Sequence, residues 1–283
     1  MQPKRLSVLG VGLLGGSLGL AAKLLSKHCS VAGYARNPET LRTAQAMGAI
    51  DEGYADAAAA VQGADLVVLC TPVGVLCNLL DEIWPALAPG AVVTDVGSTK
   101  RTLVSHAGGK GYSTFVGSHP MAGSEKQGVQ HARADLYEGA LCLTTPHHRT
   151  QPEALEKVES FWRLLSMRVR RLTPEAHDRL IGDVSHLPHA VAAALVHAQT
   201  EGALALAGKG FLDTTRIAGG DAGLWRDILL DNRDNLRAGL GRLRQDLDRL
   251  LALLESSDSE GLRAWLESAA KRREGIDPSP GKI

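Results

Sequence analysis

The chain carries no net charge: across 283 residues, 31 Lys and Arg balance 31 Asp and Glu. A global basic field that would draw it to nucleic acid or to an anionic membrane is therefore missing. No uninterrupted apolar run reaches ~18 residues, so no membrane span is expected. The apolar stretch behind Lys4 and Arg5 is broken by glycines and lacks the pattern of a signal peptide. Cysteine is sparse. Cys29, Cys70, Cys77 and Cys142 form neither a CxxC pair nor a disulfide ladder. Cys70 lies in an apolar run and reads as a small buried hydrophobe, and a reducing cytoplasm is the expected compartment. Internal repeats and low-complexity segments are absent too. What is present is ordinary globular material, 44% hydrophobic and 22% charged, long enough for about two domains at ~100–200 residues each.

The first half alternates short apolar runs with helical stretches. Strands are expected at 5–10, 30–34, 65–70, 91–95 and 114–117, and helices at 14–26 and 38–47, the latter opening on Pro38. Such alternation predicts βαβ units and a mostly parallel, doubly wound Rossmann-type sheet covered on both faces. From about Pro174 onward no strand is apparent. Helices are expected at 174–184, 188–207 and 224–255. In the last of these, Leu236, Leu240, Leu243, Leu247, Leu250 and Leu254 recur at spacings of four and three, a heptad-like seam. The seam either packs inside its own domain or crosses a subunit interface. The small size of the helical part favours the interface, and with it a homodimer built through the helical domain. The expected division is a dinucleotide-binding domain at 1–172 and an all-helical substrate and dimerisation domain at 173–283, with the residues after Ile276 forming a disordered tail.

The loop between the first strand and the first helix reads Gly10-Val11-Gly12-Leu13-Leu14-Gly15, a GxGxxG segment in the strand–loop–helix context that dinucleotide binding requires. Gly10 makes the tight turn, Gly12 lets backbone approach a pyrophosphate, and Gly15 lets helix and strand pack closely. The helix N-terminus offers free N–H groups and a positive dipole end to phosphates. A carboxylate that would bind the ribose 2′-OH of NAD is expected at the end of the second strand, where this chain has Ala35 followed by Arg36. Arg36 either pairs with a 2′-phosphate or is a solvated turn residue that tolerates both cofactors. The missing acid favours NADP, with NAD possible. Thr71 and Pro72, which end the next strand, and Ser98, just past Asp95, border the nicotinamide half of such a cofactor, unless Thr71 merely caps the following helix.

The chemistry-bearing candidates lie further on. The segment Gly117–Gly128 (GSHPMAGSEKQG) follows a strand and is dense in glycine and polar residues. An imidazole there, His119, can accept a proton or hydrogen bond from a hydroxyl on a carbon undergoing oxidation, although a lone His is more often structural. His186 and His189 stand three apart at a helix start. Without a further ligand set they suggest a polar substrate cleft, and no metal is expected. Arg216, in a Gly-rich connection before Trp225, suits bidentate capture of a carboxylate or an ordinary surface ion pair.

Taken together, GxGxxGxS at Gly10–Ser17, DVGSTK at Asp95–Lys100, HPMAG at His119–Gly123, SHLPH at Ser185–His189 and DTTRIAGGDAGLWRDI at Asp213–Ile228 resemble the prephenate/arogenate (cyclohexadienyl) dehydrogenases of tyrosine biosynthesis. The resemblance runs in order over nearly the whole chain. It implies oxidative decarboxylation of prephenate to 4-hydroxyphenylpyruvate with hydride transfer to NAD(P)+, with arogenate or dual specificity as the alternative. It implies that His119 accepts a hydrogen bond from the ring hydroxyl and that Ser98 assists there. It further implies that Arg216 binds a substrate carboxylate, that Ser124, Glu125, His186 and His189 shape the site, and that Trp225 lines it. No appended regulatory domain and no N-terminal mutase-like extension is expected. Two other readings remain. A β-hydroxyacid or imine reductase would rely on a Lys in a helix of the second domain, and 174–207 contains none. A dinucleotide sensor without chemistry would not need the set His119, Ser98 and Arg216.

Overall fold

The computed structural model describes residues 2–26, 28–124 and 126–276. Glu125 and the tail expected after Ile276 lie outside them. The first unit interleaves β1 (Arg5–Leu9), α1 (Leu13–Leu25), β2 (Ser30–Tyr34), α2 (Pro38–Ala46), β3 (Glu52–Tyr54), α3 (Ala57–Ala60), β4 (Leu66–Leu69), α4 (Leu76–Ile83), β5 (Val92–Asp95), α5 (Arg101–Lys110), β6 (Phe115–Pro120), β7 (Leu141–Thr145), α6 (Pro152–Leu164) and β8 (Arg168–Arg171). The eight strands form one sheet in the order β3-β2-β1-β4-β5-β6-β7-β8. All pairings are parallel except β6–β7, which is antiparallel with His119 opposite Leu143.

Two-residue periodicity explains why the central strands read as continuous apolar runs. Along β4, Leu66 and Val68 enter one core with Leu18, Val31 and Trp162, while Val67 and Leu69 enter the other with Leu76, Leu80 and Phe115. Both faces are buried, so no polar alternation can appear. The chain order reverses direction between β1 and β4, and ligands of open α/β sheets bind in the crevice beyond the strand ends at such a point. Gly10 and Thr71 stand there.

The second unit is helical: α7 (Pro174–Ile181), a π-helical turn (Gly182–His186), α8 (Leu187–His197), α9 (Glu201–Leu204), α10 (Lys209–Thr215), α11 (Ala222–Asp231), α12 (Arg233–Glu255) and α13 (Ser259–Glu274). Three expected helices are more broken than their periodicity suggests. The 174–184 helix passes into the π turn at Gly182. The 188–207 helix stops at His197, and Thr200 caps a new short helix by accepting the Ala203 N–H. The 224–255 helix divides at Asn232, whose side chain turns inward to bond the Asp178 carbonyl at 2.7 Å. Strands β3, β7 and β8 and helices α3, α5, α6, α10 and α13 go beyond the expected elements. β7 and β8 lie in the 141–171 stretch, where the apolar pattern is short and β8 is mostly arginine.

On α12, Leu236, Leu243 and Leu250 are half-buried, whereas Leu240, Leu247 and Leu254 are 39–53% exposed. This single chain therefore leaves an apolar stripe uncovered. Among the described residues no helix is long and apolar enough to cross a membrane.

Candidate active site

The glycine loop follows from close packing. Gly10 has φ +108°, and a Cβ there would lie 2.7 Å from the Cys70 backbone. Its N–H donates to the Tyr34 carbonyl at 2.9 Å, locking the end of β1 to β2. At Gly15 a Cβ would come within 2.2 Å of the Gly10 carbonyl oxygen and 2.7 Å of Val8, so only glycine lets α1 start so close to β1. At Gly12, by contrast, a Cβ would meet nothing within 4 Å. The open side of the loop, at the N-terminus of a 13-residue helix, is where a phosphate could approach. Val11 is buried, and Leu13 and Leu14 are half-buried against the core. Arg36 is exposed just after β2, and Ala35 precedes it where an acid would compete with a 2′-phosphate. Thr71 packs against Gly10, and its hydroxyl is buried without a partner among the described residues. The turn beginning at Pro72 has no side-chain cap, so the capping alternative for Thr71 falls away. A buried hydroxyl lacking a partner beside an open glycine loop fits a bound dinucleotide.

The loop after β6 closes over this cradle. Val129 and Ala132 pack on Gly16, the Ser17 hydroxyl accepts the Arg133 N–H at 3.0 Å, and the Tyr137 hydroxyl donates to the Leu14 carbonyl at 2.8 Å. The loop leaving His119 is thus pinned to the helix that would hold phosphates. Ser17, part of the glycine motif, plays a structural role here.

His119 is the next-to-last residue of β6 and retains 8% exposure. Its Nδ1 lies 2.9 Å from His177 Nε2, and His177 Nδ1 lies 2.8 Å from Asp178 Oδ1. Asp178 also accepts the N–H groups of Lys100 at 2.8 Å and Arg101 at 2.9 Å, which ties α7 to the start of α5. Burial, reinforced by His177, Lys100 and His186, holds the His119 pKa well below 6.5, so the ring is neutral near neutral pH. Ser98 is half-buried between two anchored residues, Asp95 and Lys100, which form a fully buried ion pair. Asp95 further accepts the N–H of Ser118 at 3.0 Å and of Gly97 at 2.8 Å.

The helical unit supplies two further histidines. His186 Nδ1 lies 3.0 Å from Asn232 Nδ2, and its Nε2 is buried without a partner among the described residues. Burial lowers its pKa to about 4. His189 stacks on Trp225 with ring centroids 3.5 Å apart, and among the described residues its Nδ1 is also buried without a partner. Trp225 and His189 both pack on Gly220, which ends the short turn (Arg216–Gly219) that begins with Arg216. His119 and His186 are therefore linked through His177, Asp178 and Asn232, and His186 meets Trp225 edge-on with ring centroids 6.2 Å apart. Arg216 is exposed at the head of the turn. Ser124 is exposed, and its hydroxyl accepts the Lys126 N–H at 3.1 Å. Sequence reading passed over His177, Asp178 and Asn232; the adjacent acid and base at 177–178 carried no spacing signal, because their partners come from β6, α5 and α12.

The sequence model of the prephenate dehydrogenase nucleotide-binding domain matches residues 20–171, and that of the prephenate dehydrogenase dimerization domain matches 173–268. The chain is 34% identical over 277 residues to a prephenate dehydrogenase of Bacillus subtilis, covering 94% of this chain and 74% of the relative. Among solved structures it is similar to prephenate dehydrogenase from A. aeolicus in complex with hydroxyphenyl propionate and NAD+, with a TM-score of 0.90, 35% identity and coverage of 97% and 98% of the two chains. It is also similar to Synechocystis arogenate dehydrogenase, with a TM-score of 0.81, 32% identity and coverage of 95% and 99%.

Proposed function

Since the chain belongs to the prephenate dehydrogenase family, oxidoreductases built on a nicotinamide-dinucleotide-binding domain and an oligomerising helical domain, we propose that it converts prephenate to 4-hydroxyphenylpyruvate and carbon dioxide in the cytoplasm, with NADP preferred. The observation that supports this reading is His119: neutral, with Nδ1 committed to His177, at the end of a strand whose following loop is pinned to the glycine-loop helix. The residues that would hold the cofactor are Gly10, Val11, Gly12, Leu13, Leu14 and Gly15, with Thr71 and Pro72 beside the nicotinamide and Arg36 at the 2′-phosphate. Bound there, the nicotinamide supplies the hydride acceptor.

The chain's own residues do the rest. His119 Nε2 accepts the hydrogen bond of the ring hydroxyl and takes proton density as the carbinol carbon becomes a carbonyl. Ser98 holds the same hydroxyl in place. Departure of carbon dioxide restores the aromatic ring, and the proton returns from His119 to the phenol oxygen, so no net proton is exchanged and no strong general acid is required. Arg216 grips the side-chain carboxylate and leaves the departing ring carboxylate unstabilised, since binding it would favour the ground state. Ser124, Glu125, His186 and His189 shape the side-chain pocket, and Trp225 lines it. The functional division falls at 1–172 and 173–283, and the exposed leucine stripe of α12 forms the homodimer interface.

Arogenate, with an ammonium in place of the keto group, is the second reading, favoured by the similarity to the Synechocystis enzyme. The test crosses prephenate and arogenate with NAD and NADP and follows reduced nicotinamide by its near-ultraviolet absorbance. Turnover of prephenate with NADP is expected. Turnover of arogenate alone would overturn the substrate, and NAD alone the role of Arg36. Cofactor binding without turnover of any pair would overturn the activity.

A further inference from the structure

We propose that the Asp178 carboxylate, acting through His177, and the Asp178 main-chain carbonyl, acting through Asn232, set opposite tautomers in the two active-site histidines: His119 presents a bare Nε2 as acceptor, and His186 presents Nε2–H as donor. His177, Asp178 and Asn232 are then positioning residues, and the inference rests on the assignment of His119 as the group that takes the hydroxyl proton.

The His119 assignment follows from counting protons around the Asp178 carboxylate. Burial pushes the Asp178 pKa up, but His177 and the N–H groups of Arg101 and Lys100 more than offset it, leaving Asp178 ionised. An ionised carboxylate only accepts. Its Oδ1 lies 2.8 Å from His177 Nδ1, so that nitrogen carries hydrogen. Burial keeps His177 neutral despite the carboxylate, so its Nε2 bears a lone pair. That lone pair faces His119 Nδ1 at 2.9 Å, which must therefore carry hydrogen. The neutral His119 ring is left with a lone pair at Nε2. An imidazole with hydrogen on Nε2 could only donate to the substrate hydroxyl and could not take its proton.

The other arm runs the opposite way. Asn232 Nδ2 donates to the Asp178 carbonyl at 2.7 Å, and its Oδ1 accepts from Asn235 at 2.7 Å, which fixes the orientation of the amide. The same Nδ2 lies 3.0 Å from His186 Nδ1, which must accept, so the hydrogen of the neutral His186 ring is on Nε2. This is the buried nitrogen that has no partner among the described residues. A buried donor left unpaired is costly and calls for a ligand acceptor, such as a carbonyl or carboxylate oxygen of the substrate.

The direct test is 15N-histidine NMR of the full-length enzyme without substrate, with His119 and His186 assigned from the His119→Asn and His186→Asn variants. His119 should show hydrogen on Nδ1 and His186 hydrogen on Nε2; hydrogen on His119 Nε2 would overturn the proposal. Kinetics supply the second arm. His177→Leu removes the acceptor and should lower kcat by roughly 10²- to 10⁴-fold, the usual worth of a positioned base, with little change in substrate KM or in dinucleotide affinity. His177→Gln, whose amide oxygen can still accept from His119 Nδ1, should recover most of the loss, whereas a merely structural role would not discriminate between the two. Wild-type kcat in His177→Leu, alongside inactivity of His119→Asn, would overturn the positioning role and leave the base intact. Activity of His119→Asn would instead overturn the base, while the NMR tautomers would still decide this proposal. Should His177→Leu fail to fold, the wild-type spectrum and His177→Gln decide it.

Discussion

Replacing Lys100 by Met tests how strongly the buried ion pair holds the site together. Both Lys100 and Asp95 are fully buried, and among the described residues Asp95 keeps the N–H groups of Ser118 and Gly97 once the ammonium is gone. Met matches the length and flexibility of the lysine stem, so the substitution removes charge with little change in packing. Taking one partner from a buried pair costs about 3–5 kcal/mol, because an uncompensated charge remains. At ~2–4 °C per kcal/mol for a chain of this order of size, the thermal midpoint should drop by roughly 6–20 °C. The assay is thermal and denaturant unfolding of wild type, Lys100→Met, Asp95→Asn and the double variant. A coupling of ~0.5–3 kcal/mol between the two positions is expected, with the double variant less damaged than the sum of the singles. Activity should fall as well: Ser118, held by Asp95, precedes His119, and the Lys100 N–H is bonded to Asp178. A loss under ~1 kcal/mol together with additive singles would refute the view that a buried charge is being compensated.

Because burial, with His177, Lys100 and His186, depresses His119 below 6.5, kcat/KM should stay flat from neutral pH down through 6.5 and fall only in more acid solution; an acid limb above 6.5 would contradict the assignment. His119, His177 and His186 are all lowered in the fold, so the unfolded chain binds more protons below 6.5. Stability should therefore be full above that pH and decline towards about 4, read as the thermal midpoint against pH. Gly15→Ala drives a methyl into the Gly10 carbonyl and Val8 and should lower both stability and dinucleotide affinity, the latter by tenfold or more (about 1.4 kcal/mol). Gly12→Ala meets open space and should impair binding alone, with titration calorimetry and unfolding separating the two. Arg36→Ala should lower the NADP-to-NAD ratio of kcat/KM by roughly 10- to 100-fold, the worth of a charge-assisted hydrogen bond of ~1.5–3 kcal/mol; an unchanged ratio would remove Arg36 from cofactor choice. Leu247→Glu, on the exposed stripe of α12, should dissociate the oligomer in analytical ultracentrifugation.

The doubly wound sheet was legible because its signals are local. Val67 and Leu69 face one core while Leu66 and Val68 face the other, and a strand buried on both sides shows as a plain apolar run. The glycine loop was legible for the same reason, since tight turn and helix start lie within six residues. β7 and β8 were not, because their pairing depends on distant partners: β7 reverses direction against β6, and β8 is an edge strand whose Arg168, Arg170 and Arg171 carry no apolar period. The breaks in the helical unit were hidden likewise. Nothing local at Asn232 or Gly182 stops a helix firmly; the inward turn of Asn232 is set by the Asp178 carbonyl, 54 residues earlier.

The candidate site divides along the same line. Side chains that would touch ligand sit in compact segments, GSHPMAG, SHLPH and TRIAGG, and could be named from the chain alone. What decides whether those side chains are donors or acceptors could not. The proton on His119 is assigned by His177 and Asp178 across 58 and 59 residues, and the proton on His186 by Asn232 across 46. Lone histidines at 119, 186 and 189 are ambiguous individually, since a neutral imidazole offers one donor and one acceptor and no periodicity says which. Two groups of one residue resolve two of them: the Asp178 carboxylate, held by two backbone N–H groups at the start of α5, leaves one arrangement for His177 and His119, and the Asp178 main-chain carbonyl leaves one for Asn232 and His186.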